Sequence, residues 1–97
     1  MKLILTVVRD DDASNVIDAL TEHGFYVTRL SSTGGFLRMG NSVLLMGIED
    51  DDLDRVQEVI RAHAEVRVQP PSSHVEQETR ISRAVAFVLE LQQMVKL

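Results

Sequence analysis

The spacing of apolar positions changes repeatedly along the chain, and each change predicts an element. Residues 3–8, Leu3-Ile4-Leu5-Thr6-Val7-Val8, form a continuous apolar run broken by one threonine, which suits a central strand. From Asp10 the period becomes helical. Ala13, Val16, Ile17 and Leu20 share one face, and Gly24 ends the helix at its C-terminal side. Phe25 to Leu30 alternates Phe25, Val27 and Arg29 against Tyr26, Thr28 and Leu30, the pattern of a second strand. Val43 to Ile48 reads as a third strand, and Leu53, Val56, Val59 and Ile60 mark a second helix running to about Ala62.

Displaced by 40 residues, the chain overlays itself: Leu5 falls on Leu45, Val8 on Ile48, Asp10-Asp11-Asp12 on Asp50-Asp51-Asp52, Val16 on Val56, Leu20 on Ile60 and His23 on His63. Two βαβ halves in tandem predict an α+β, ferredoxin-like βαββαβ fold. Its four-stranded antiparallel sheet carries both helices on one face, in a single domain over residues 1–97. After the second helix the repeat breaks. Glu65 to Gln69 reads either as a short strand or as the start of an excursion, and Pro70-Pro71-Ser72-Ser73-His74 with the polar stretch 75–80 predicts a mobile loop. Residues 63–81 therefore form a long loop before the last strand, Ala84 to Leu89. Residues 92–97 form a tail packed by Met94, Val95 and Leu97.

Composition narrows the function. A net charge of −5 and a pI near 5.0 argue against a polynucleotide partner, since ten basic residues face fifteen acids. A compact anion needs only a few local donors and remains open. No apolar run is long enough for a membrane span, the N-terminal run reads as a strand rather than a signal peptide, and the chain has no cysteine, so the cytoplasm is the expected location.

The acidic runs at 10–12 and 49–52 sit where a strand hands over to a helix. There carboxylates cap free amides and favour the positive end of the dipole, and neither run has the spacing of a calcium loop. His23 and His63 fall at helix C-termini and His74 in the Pro/Ser loop, so no metal site is expected. No nucleophile elbow, cysteine or carboxylate pair outside the caps is present. A phosphate loop of acylphosphatase type would occupy the first strand–helix junction, which here reads Arg9-Asp10-Asp11-Asp12 and repels phosphate. An enzyme is not expected.

The link between the second and third strands, residues 28–42, carries the candidate chemistry. A hairpin needs only about two residues to turn, and this link spends about ten. Gly34 and Gly35 allow successive amides to face an anion, Ser31, Ser32 and Thr33 add donors, Arg29 and Arg38 add charge, and Phe36 offers a flat surface to a base. On residue chemistry alone a second reading stands beside this one. In it the glycines serve only geometry, and Phe36 packs on the core or on a neighbouring subunit.

The run Thr28-Arg29-Leu30-Ser31-Ser32-Thr33-Gly34-Gly35-Phe36-Leu37-Arg38-Met39-Gly40-Asn41, with Lys2 to Asp10 before it and Leu45-Met46-Gly47-Ile48-Glu49-Asp50 after it, resembles the bacterial PII-like cyclic di-AMP receptor family. The likeness runs from residue 1 to about residue 62 without a gap. It implies a homotrimer that binds one cyclic di-AMP in each cleft between subunits and relays this to an unknown effector protein through loop conformation. By position, Thr28, Phe36, Leu37, Asn41 and Gly47 match family residues lining the cleft; Arg29, Thr33, Gly34 and Gly35 complete the expected ligand set. Three departures stand out: Tyr26 replaces a usual arginine, the loop 63–81 is short, and the tail Gln92 to Leu97 lacks the family's aromatic. They keep open a PII-like trimer sensing ATP, ADP or AMP, and beside both a ligand-free trimeric assembly module or a metal-tolerance protein of similar trimeric fold.

Overall fold

Along Lys2–Arg9 (β1) side chains alternate between full burial at Ile4, Thr6 and Val8 and half-burial at Leu3, Leu5 and Val7. The first set faces the helices and the second faces away, because successive Cβ atoms of a strand point to opposite sides. The computed structural model describes residues 1–30, 40–68, 79–82 and 84–97. Element order is β1, α1 (Asp10–Glu22), β2 (Thr28–Leu30), β3 (Asn41–Ile48), a 3-10 turn (Asp50–Asp52), α2 (Leu53–Ala64), β4 (Glu65–Val68), β5 (Thr79–Ser82) and β6 (Ala84–Glu90).

The main sheet runs in the order β2-β3-β1-β6, antiparallel throughout, with register Leu5↔Leu45 against β3 and Leu5↔Phe87 against β6. This is the ferredoxin-like arrangement expected from the repeat. The repeat itself survives in space, since Leu5 and Leu45 are cross-strand partners and Val16 and Val56 are both fully buried on their helices. The core lies between sheet and helices: Ile4, Val8, Leu44, Met46 and Ile48 from the strands, Val16, Ala19 and Leu20 from α1, and Val56, Val59 and Ile60 from α2.

Several details differ from expectation. β2 begins at Thr28 rather than Phe25, because Phe25 closes the end of α1 and turns into the core. The stretch 63–81 carries α2 to Ala64 and then a separate two-stranded ribbon, β4 on β5, paired Glu65↔Ser82 to Val68↔Thr79. The Pro/Ser stretch within it, residues 69–78, lies outside the described residues. Residues 91–97 form no regular element and Leu97 is fully exposed, so it packs nothing. The caps differ as well. Arg9 and Glu49 hold the N-cap positions with no side-chain cap bond, and the aspartates lie in the first turn, where the dipole favours their charge.

Candidate functional site

On the sheet face turned away from the helices, strand pairing sets Thr28 opposite Leu45 and Leu3 opposite Gly47. Beyond β6 the chain turns back over this corner, with the Leu91 amide donating to the Met1 carbonyl at 3.1 Å. The result is a cleft of about 730 Å³ between sheet and tail. Its floor is Leu3, Thr28, Leu45 and Gly47, its lip is Tyr26, and its far wall is Leu91, Gln93, Met94, Val95 and Lys96. That volume suits a nucleotide-sized ligand, and the mixture of apolar wall with a few polar groups is that of a small-molecule site.

The tail packs over Gly47. A Cβ added there would lie 3.4 Å from Leu91 Cδ2 and 3.5 Å from Met94 Sδ. A larger side chain would push the tail away or fill the space. Tyr26 is 87% exposed, so its ring is available to a ligand rather than committed to the core. Among the described residues Lys96 is the one charged side chain lining the cleft.

The expected ligand residues separate into groups. Thr28 and Gly47 come together in the cleft. Asn41 lies on the same sheet face at the opposite end of β3, opposite Arg9. Six residues of extended strand put it ~20 Å from Gly47. Arg29 points to the other face. Its Nη2 donates to Ser42 Oγ at 2.9 Å and lies 3.7 Å from Asp10 Oδ1. Thr33, Gly34, Gly35, Phe36 and Leu37 lie outside the described residues. The cleft also holds residues that the sequence places in strands or tail and not in a ligand set, Leu3, Leu45 and the tail positions 91 and 93–96. Only the apolar Met94 and Val95 beyond the last strand hinted at them.

Among the described residues no group of three metal-ligating side chains is assembled, and no helix is long and apolar enough to cross a membrane.

The sheet order and this corner cleft define a PII-like protein of ferredoxin-like topology, and the comparisons with known proteins agree. The chain belongs to the cyclic-di-AMP receptor family, which it matches over residues 1–97. It is 30% identical over 77 residues to "Nitrogen fixation nifHD region GlnB-like protein 1" of Methanothermococcus thermolithotrophicus, covering 66% of this chain and 73% of that relative. Among solved structures it resembles a functionally unknown protein from Pediococcus pentosaceus ATCC 25745. That likeness has a TM-score of 0.73 at 29% identity and covers 99% of this chain and 96% of the other.

Proposed function

We propose that the protein is a cytoplasmic receptor that binds cyclic di-AMP in clefts between the subunits of a homotrimer. It passes the signal to an effector protein through the conformation of its loops. The observation that carries this reading is the cleft over Gly47, open to a planar base between Tyr26 and the tail and bearing the Lys96 ammonium for phosphate. The separation of Asn41 from Gly47 supports a site shared between copies, because ~20 Å along one strand exceeds what a single compact ligand bridges from one chain. In a closed ring the Asn41 end of one copy meets the Gly47 end of the next. No catalytic step is assigned to the site.

Calorimetry with cyclic di-AMP tests this. Low-micromolar or tighter binding is expected, and Phe36→Ala, Asn41→Ala and Lys96→Gln should each weaken it about tenfold, the scale of one stacking or charge-assisted contact. No heat from an intact oligomer would falsify the reading.

A second reading has its own support. With Tyr26 at the lip and Lys96 on the far wall, the cleft suits an adenine nucleotide whose base stacks on Tyr26. A thermal-shift panel of ATP, ADP, AMP and cyclic di-AMP separates the two, and a uniquely large shift with cyclic di-AMP eliminates this one.

A further inference from the structure

On the helix side of the sheet, near the Asn41 end of β3, three polar side chains from three elements converge. Ser42 is buried at the start of β3 and donates its hydroxyl to Asp10 Oδ1 at the start of α1. The same hydroxyl accepts from Arg29 Nη2 at 2.9 Å, and that guanidinium lies 3.7 Å from Asp10 Oδ1. A serine hydroxyl has one proton to give, and here it goes to the carboxylate while a lone pair takes the cation. The backbone joins in, as the Asp10 amide donates to the Gly40 carbonyl at 2.7 Å. Gly40 has φ +93, a conformation open to glycine at little cost.

One residue at the head of α1 thus ties both strand ends between which residues 31–39 run. β2 is held through Arg29, and β3 through Ser42 and Gly40. We propose that Asp10, Ser42 and Arg29 form a positioning clamp that fixes these two strand ends and so sets the affinity of the ligand site on the opposite face. Arg29 then serves the clamp and not the ligand. This rests on the ligand reading given above.

The sign of one substitution separates the clamp from simple electrostatics. Removing the negative charge of Asp10 would strengthen attraction for an anionic ligand if only long-range charge mattered. The clamp requires the opposite.

The test uses the full chain in two arms. In calorimetry with cyclic di-AMP, Asp10→Asn, Arg29→Gln and Ser42→Ala should each weaken binding about tenfold, and the Asp10→Asn/Arg29→Gln double no more than its worse single, as coupled groups behave. Arg29→Lys should restore part of the loss. In amide exchange without ligand, the amides of residue 10, Leu30 and Val43 should exchange faster in each variant, while the core amides of α2 keep their rates.

Unchanged or tighter binding by Asp10→Asn, or additive losses in the double, overturns the proposal. So does unchanged exchange at residue 10 and Leu30 in all three variants. If the wild type binds no nucleotide, the ligand reading fails, and the exchange arm still decides whether the clamp exists.

Discussion

Thr6 stands at the middle of β1 with its side chain fully buried on the helix-facing side, and among the described residues its Oγ1 has no hydrogen-bond partner. An unpaired buried hydroxyl costs ~1–3 kcal/mol. Valine keeps the shape and removes the polar atom, so Thr6→Val should stabilise the fold by about 1 kcal/mol. Urea denaturation checks this: the midpoint should rise with the slope unchanged, and a fall would mean that the hydroxyl is paired in solution. Asp50 gives a pH-dependent case. A hydrogen bond from the N-terminal ammonium, at 3.1 Å, holds its carboxyl below the usual carboxylate range, aided by the charges of that ammonium and Lys2. A depressed carboxylate adds stability above its unfolded pKa of about 3.9 and loses it as the pH falls through the folded value. The stability difference between wild type and Asp50→Asn should therefore be small at neutral pH, since the group is exposed, and should vanish in acid and in high salt.

Elements that bury one face were legible from spacing, and those held by backbone or by distant partners were not. The end of α1 belongs to the first kind. Gly24 has φ +87, its amide donates to the Thr21 carbonyl at 3.0 Å, and the Phe25 amide donates to the Leu20 carbonyl at 3.0 Å. This paired closure places Phe25 and Leu20 together in the core, where the Arg55 guanidinium lies 4.9 Å from the Phe25 ring centroid. Nothing lies within 4 Å of a Cβ added at Gly24, so the penalty there is conformational alone. Gly24→Ala should cost about 1 kcal/mol in thermal unfolding, and Gly24→Asn less, because asparagine tolerates the left-handed region better. The β4–β5 ribbon is of the second kind. Glu65-Val66-Arg67-Val68 carries an alternation too short to choose between strand and loop, and its partner begins eleven residues on at Thr79. The cleft shows the same division. Thr28 and Gly47 lie in it as motif residues. The alternation also sets Arg29 on the strand face opposite Thr28, but its partners Asp10 and Ser42, 19 and 13 residues away, are not legible from spacing.

Among the described residues, one face of the main sheet has no helix packed on it. Leu3, Leu5, Val7, Val43, Leu45, Val85, Phe87 and Leu89 share it by register, with Arg9 and Asn41 at its rim. An antiparallel sheet that meets water on one side alternates apolar with polar positions; β1 is apolar on both faces instead. Phe87 is 55% exposed in the single chain, and Val85 and Leu89 flank it on the same strand. A domain of 97 residues gains from covering such a surface, and further copies of the chain are the proposed cover. Light scattering should give a particle three times the 10.9 kDa chain mass, and Phe87→Glu should reduce it to one. Phe87 does not line the cleft, so the variant also reports where the ligand site resides. With Asn41 and Gly47 ~20 Å apart on one strand, a site built from both needs two copies. Cyclic di-AMP binding should then fall together with assembly in Phe87→Glu. A monomeric variant that keeps full affinity would place the whole site within one chain and leave Asn41 without a part in it.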